Sequence, residues 1–303
     1  MAKTHPFKGI IPPVPTIVDE QGDLDKDGMK KLLDHLIEAG VHGLLILGTG
    51  GEFSQMGLGQ RKQVAEFAVE YVAKRVPVMI GTGSPSTAET VELSKHAQQA
   101  GADGVLVLNP YYWPLAEDHL YAHYARVAEA VTCPILIYNF PLLTGQDLTP
   151  AFIKRLAMDY EHIVGLKDTV DTAGHIREII VQIKHNRPEF AVFAGFDDHL
   201  FNTLALGGDG AIPASANFAP EITVGLYEAF QQGDYSRAIQ LHRRLAPLLA
   251  MYKLDVPFVN VIKEAIRLRG IEISTAVLPP ARPLSEQKRE KLKQLLQKAQ
   301  LLS

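Results

Sequence analysis

His35-Leu36-Ile37-Glu38-Ala39-Gly40-Val41-His42-Gly43-Leu44-Leu45-Ile46-Leu47 recurs in outline as His96-Ala97-Gln98-Gln99-Ala100-Gly101-Ala102-Asp103-Gly104-Val105-Leu106-Val107-Leu108, 61 positions later (96 − 35). Each copy ends a helix, turns on a glycine, passes a second glycine and enters a short apolar run that fits a strand buried on both faces. A third, shorter echo is Leu206-Gly207-Gly208-Asp209-Gly210-Ala211-Ile212. The repeated unit is a helix-to-strand connection. Its recurrence about two βα units apart points to a repeated βα architecture.

Apolar runs of this kind fall near residues 10, 45, 79, 106, 136, 165, 192 and 211. The first, Gly9-Ile10-Ile11-Pro12-Pro13-Val14-Pro15-Thr16, is interrupted by prolines, which cannot donate to a ladder, so an irregular strand is expected. Helical periodicity separates the runs over 25–39, 60–74, 87–100, 118–130, 150–158, 173–184 and 198–206. Eight strands alternating with helices predict an α/β fold of the (β/α)8 TIM-barrel type. A doubly wound open sheet is the alternative, weakened because Gly48-Thr49-Gly50-Gly51 and Gly81-Thr82-Gly83-Ser84 both miss the G-x-G-x-x-G spacing. Beyond Pro220 the pattern is helical over 220–232, 235–251, 257–269 and 285–301. The expected organisation is a barrel over 1–232, with 233–303 as a C-terminal helical extension of the same domain.

The 303 residues carry a formal net charge of −4 and 47% apolar residues, a globular composition with length for a large core. Near-neutral charge gives no reason to expect nucleic acid or an anionic membrane as partner. Met1-Ala2-Lys3-Thr4-His5-Pro6 contains no apolar signal core, and no apolar run approaches the roughly 18 residues of a membrane span. The single cysteine, Cys133, forms no internal disulfide, and together these features predict a cytoplasmic protein.

In such a barrel, chemistry sits at the C-terminal ends of the strands. One end stands out: Ile163-Val164-Gly165-Leu166-Lys167-Asp168-Thr169 places a lysine at the close of a buried run. Taking an amine out of water favours its neutral form, and a neutral amine is a nucleophile. A lone strand-end lysine is also a common snorkelling surface group. The preceding strand, Pro134-Ile135-Leu136-Ile137-Tyr138-Asn139, weakens that reading, because it places a tyrosine 29 positions earlier (167 − 138) at the same barrel mouth. Gly48-Thr49-Gly50-Gly51-Glu52 is a turn able to aim backbone N–H groups at an anion, or simply a tight turn. His119 and His123 share a helix face, yet Leu120-Tyr121-Ala122 between them supplies no general base and no third ligand follows from spacing, so no metal site is expected. G-x-S-x-G is absent.

Taken together, Gly48-Thr49-Gly50-Gly51-Glu52, Pro110-Tyr111-Tyr112, Tyr138-Asn139-Phe140-Pro141 and Gly165-Leu166-Lys167-Asp168-Thr169 resemble the dihydrodipicolinate synthase/N-acetylneuraminate lyase family over nearly the whole chain. Thr144-Gly145-Gln146-Asp147-Leu148-Thr149-Pro150 and Gly195-Phe196-Asp197-Asp198-His199-Leu200-Phe201-Asn202 look most like its bacterial 2-keto-3-deoxy sugar acid aldolases. The resemblance implies a Schiff-base (class I) mechanism with no metal or organic cofactor. Lys167 would form an iminium with the C2 ketone of a pyruvate-like substrate, and Tyr138 would shuttle the C4 hydroxyl proton. Thr49 and Tyr112 would complete the relay, with Tyr112 supplied by a neighbouring subunit in a homotetramer built as a dimer of dimers. Gly50 and Gly51 would bind the substrate carboxylate through N–H groups. Ile212 matches a pocket-lining position, although plain barrel core is the simpler explanation of it. Thr169 is aldolase-like and suited to a substrate hydroxyl. Asp197 is a candidate for the sugar hydroxyls or a helix N-cap.

Two positions depart from many relatives. Gly50 stands where a second hydroxyl residue is common, and Leu143 stands where the synthases carry an arginine for a second carboxylate. The expected function is reversible cleavage of a 2-keto-3-deoxy sugar acid, such as 2-keto-3-deoxygluconate, to pyruvate and a short hydroxyaldehyde. A dehydratase, deaminase or dihydrodipicolinate synthase-like lyase using the same iminium is the alternative, as is a non-catalytic ligand-binding member.

Overall fold

The computed structural model describes residues 5–302; Met1–Thr4 and Ser303, which carry both ends of the expected organisation, lie outside the described residues. Eight parallel strands run β1 (Gly9–Ile10), β2 (Leu44–Ile46), β3 (Val78–Gly81), β4 (Gly104–Leu108), β5 (Ile135–Asn139), β6 (Ile163–Asp168), β7 (Ala191–Ala194) and β8 (Gly210–Ala211). Each contains or abuts one of the apolar runs read from the sequence. The sheet runs β1-β8-β7-β6-β5-β4-β3-β2, all neighbours parallel.

The two ends of that order meet. Pro13 bridges Leu45 in parallel, Val14 N–H donates to Leu45 O at 2.8 Å, and His42 N–H donates to Ile10 O at 2.8 Å. The sheet is thus closed into a (β/α)8 barrel. Pro12 and Pro13 explain why the first strand is only two residues long, since neither offers an N–H to the ladder.

Helices follow the strands in turn: α1 (Lys26–Glu38), α2 (Leu58–Val72), α3 (Thr87–Gln99), α4 (Glu117–Ala130), α5 (Pro150–Asp159), α6 (Ala173–Ile179), α7 (Leu200–Ala205) and α8 (Pro220–Gln231). Side chains start several of them, Asp25 accepting from Gly28 N–H at 2.9 Å and Thr149 from Phe152 N–H at 3.2 Å. The sequence repeat is one closure used three times. Gly40, Gly101 and Gly207 have φ of +80°, +90° and +91°, and the N–H that follows each bonds back five residues: Val41 to Leu36 O, Ala102 to Ala97 O, Gly208 to Thr203 O. This is the left-handed helix stop that glycine makes cheaply. The second glycine answers to crowding: a Cβ on Gly104 would lie 2.9 Å from Pro134 O on the neighbouring chain segment.

Past α8 come α9 (Tyr235–Leu245), α10 (Val259–Leu268) and α11 (Glu286–Lys298). The helix expected over 235–251 changes to a 3-10 helix at Ala246–Lys253, where Pro247 removes an N–H from the ladder. The helix expected over 173–184 likewise loosens to a π-turn at Ile180–Lys184. One buried cluster runs from Phe7 through the strands to Leu292, Leu296 and Leu301, so the last helices share the barrel's apolar core. Among the described residues no helix is long and apolar enough to cross a membrane.

Candidate active site

All eight strands point their C-terminal ends to one face, where the βα loops gather. Tyr138 and Lys167 are each the last residue but one of their strand, and they are register partners across β5 and β6. Partners in a parallel pair face the same side, so both side chains enter the barrel mouth. Lys167 Nζ lies 4.3 Å from the centroid of the Tyr138 ring. Both residues are buried, at 4% and 3% exposure. Tyr138 Oη lies 3.1 Å from Thr49 Oγ1 in the turn that follows β2, within hydrogen-bond reach with either as donor. An amine, a phenol and an alcohol thus stand in a row, two on adjacent strands and one on the turn after β2.

Thr49–Gly51 is a 3-10 turn whose first N–H groups have no acceptor inside it. Gly50 N–H is therefore directed out of the turn, whereas Gly51 N–H donates to Gly48 O at 2.9 Å and reaches an anion only as a shared donor. The turn sits hard against the first strand: a Cβ on Gly51 would meet Val14 O at 3.2 Å, and Thr16 Oγ1 donates to Gly51 O at 2.8 Å. Glu52, directly after the turn, and Leu47, two residues before it, have φ of +59° and +58°, a conformation that side chains usually avoid.

Thr169, two residues beyond Lys167, is buried, and its hydroxyl has no partner among the described residues. A Cβ on Gly195 would overlap that hydroxyl, so the glycine at the end of β7 is what leaves it room. Ile212 is buried directly after β8, its N–H donating to Ala194 O at 2.8 Å. Asp197 is buried too, but it is not a cap, because Phe196 holds the cap position. Asp197 Oδ1 accepts from Ser215 N–H at 2.7 Å and from Tyr252 Oη at 3.2 Å. Burial pushes the Asp197 carboxyl up despite those donors, and pushes the Tyr252 phenol well above its usual range. Tyr112 stands apart from the row: it is 85% exposed, has φ +84° and stacks edge-on with Trp113. Leu143 lies half-exposed on a single helical turn, Pro141–Thr144, after β5.

Sequence reasoning missed two buried polar networks beside these groups. On the outer side of β5 and β6, Asn139 Nδ2 donates to Asp168 Oδ1 at 3.0 Å and to Asp147 Oδ1 at 2.8 Å, and Asp168 Oδ2 pairs with His175 Nδ1 at 2.8 Å. Burial works against a charged imidazole, but the hydrogen bond and charge of Asp168, with Asp147, hold His175 above its usual value. Alternation could have placed Asn139 and Asp168 on one outward face. The other network joins Glu52 to Lys263 of α10, 211 residues away, at 2.5 Å. Burial pushes Lys263 below its usual value, opposed by Glu52. No local pattern announces that pair. Of the two histidines weighed for a metal, His119 is exposed and His123 is buried against Thr87 Oγ1 at 2.9 Å, its pKa pushed down by burial to about 4. No three His, Cys, Asp or Glu side chains among the described residues group to hold a metal ion.

The Dihydrodipicolinate synthetase family matches residues 6–299. The protein named "Putative 2-dehydro-3-deoxy-D-gluconate aldolase YagE" of Escherichia coli (strain K12) is 55% identical over 301 residues, covering 99% of this chain and 100% of the relative. A second protein of that strain, named "Probable 2-dehydro-3-deoxy-D-pentonate aldolase YjhH", is 52% identical over 290 residues, covering 96% of each. The crystal structure of YagE in complex with pyruvate superposes with a TM-score of 0.96 at 56% identity, covering 97% of this chain and 99% of that one.

Proposed function

The chain belongs to the dihydrodipicolinate synthetase family, and we propose that it is a class I aldolase cleaving a 2-keto-3-deoxy sugar acid to pyruvate and a short hydroxyaldehyde. The observation that carries this reading is the row Lys167–Tyr138–Thr49: a buried amine against a phenol whose hydroxyl is in reach of a second one. A lysine amine adds to the C2 ketone, and loss of water leaves an iminium. As Tyr138 accepts the C4 hydroxyl proton, the C3–C4 bond breaks. Its electron pair is taken up as an enamine, and the aldehyde departs. Return of a proton from the Tyr138–Thr49 pair to C3 restores an iminium, which water hydrolyses to pyruvate and free Lys167. Thr49 passes the proton onward.

The substrate carboxylate would rest on the turn at Gly50 and Gly51, where N–H groups replace the hydration it gives up. Ile212 would line the pyruvate pocket. Thr169 would bond a substrate hydroxyl, and Asp197 would offer only its second oxygen, since Ser215 and Tyr252 take the first. Tyr112, exposed and held at positive φ, suits a role in a neighbouring subunit's relay within a homotetramer. The names of the two Escherichia coli relatives support a sugar acid, one a hexonate and the other a pentonate. The test is a cleavage screen over five- and six-carbon 2-keto-3-deoxy acids with detection of released pyruvate. Release from at least one is expected; no release from any member, under conditions where the protein turns over another 2-keto acid, would overturn the assignment.

A further inference from the structure

Glu52 and Lys263 form an ion pair with side-chain exposures of 3% and 0%, an unusual expense in a fold that could place apolar groups there. Each partner makes a further hydrogen bond. Lys263 Nζ also donates to Ala276 O at 2.6 Å, and Glu52 Oε2 accepts from Leu278 N–H at 2.7 Å. Glu52 directly follows the Thr49–Gly51 turn, and its own backbone is held at φ +59°. On the opposite side, Thr16, itself 1% exposed, donates its hydroxyl to Gly51 O at 2.8 Å. The C-terminal end of the turn is therefore held from two directions, by the segment after β1 and by α10 with the loop behind it.

We infer that the Glu52–Lys263 pair, together with Thr16, is a positioning clamp that sets the carboxylate-binding turn, making the C-terminal extension a working part of the site. This rests on the reading that the Thr49–Gly51 turn receives the carboxylate of a 2-keto acid. A free 3-10 turn followed directly by a non-glycine residue at positive φ would relax toward ordinary backbone and turn its N–H groups away. Holding donors aimed before the anion arrives removes the reorganisation that binding would otherwise require. Neither Glu52 nor Lys263 need touch substrate; both act through the backbone of the turn.

The test compares two electrophiles with the same ketone, pyruvate and its neutral methyl ester. Each is trapped on the purified full-length protein by borohydride and counted by mass. The variants are Glu52→Gln, Lys263→Met and, since removing one partner of a buried pair can prevent folding, Thr16→Val, which keeps size and shape. Trapping of pyruvate should fall by roughly ten- to a hundredfold relative to methyl pyruvate in each folded variant, a loss of the size expected from misplaced contacts. Equal loss of both probes, or none, in Thr16→Val and in whichever pair variant folds, overturns the clamp: these residues would then serve folding alone. Absence of pyruvate trapping in the unaltered protein would instead sink the Schiff-base reading beneath it.

Discussion

Tyr138 and Lys167 are register partners on adjacent parallel strands, with the amine 4.3 Å from the ring centroid. That relationship fixes a division of labour. The ring face packs against the lysine, while the phenol hydroxyl points past it to Thr49 Oγ1 at 3.1 Å. Tyr138→Phe keeps the packing and removes only the hydroxyl proposed to carry the proton. Iminium formation with pyruvate should survive, and cleavage should fall by about 10²–10⁴-fold, the usual contribution of a positioned acid–base group. Single-turnover kinetics with trapping separates the two steps; unchanged cleavage would assign the proton to another group.

Thr169 is expected to trade stability for turnover. Its buried hydroxyl has no partner among the described residues, so Thr169→Val removes an uncompensated polar group at nearly constant shape. The melting temperature should hold or rise. Cleavage should lose about tenfold in kcat/KM if the hydroxyl bonds substrate, a hydrogen bond being worth ~1 kcal/mol or somewhat more. A variant with lower melting temperature and full activity would make the residue structural.

Leu143 bears on substrate choice. Aspartate semialdehyde carries a second carboxylate, whose unpaired burial costs several kcal/mol, and leucine offers no donor. The unmodified enzyme should therefore be a poor dihydrodipicolinate synthase, and Leu143→Arg should weaken sugar acid cleavage. Side-by-side kinetics decide: equal or greater kcat/KM for semialdehyde condensation would mean that another cation serves the distal end.

The Asp168–His175 tie predicts a pH dependence. His175 is held above its usual value, so its charged form is stabilised by folding. That stabilisation is complete below the unfolded-state value of about 6.5 and is lost as pH rises through the higher folded-state value. His175→Gln should narrow its stability deficit across that window. Denaturation midpoints of both proteins between pH 5 and about 9 check it; a deficit that widens with rising pH would contradict the assignment of charge.

The barrel was legible because its grammar is local. A left-handed glycine stop is written within six residues, so the repeat at Gly40 and Gly101 exposed the βα unit. The placement of Lys167 and Tyr138 was legible for a related reason, since each stands last but one in a short apolar strand and the two are register partners. What stayed hidden depends on distance along the chain. Glu52 meets Lys263 across 211 residues, and Asp197 meets Tyr252 across 55. Tertiary packing alone decides such pairs. Asp197 shows the consequence: the sequence offered a cap or a sugar contact, while the fold gives its carboxylate two protein donors first.

The central claim is that Lys167 is the nucleophile, and borohydride trapping with pyruvate addresses it most directly. Incubation of the enzyme with pyruvate and borohydride should abolish activity and add one reduced pyruvyl group, located by peptide mass mapping on Lys167. Activity lost without a label, or a label found on a different lysine, would contradict the account.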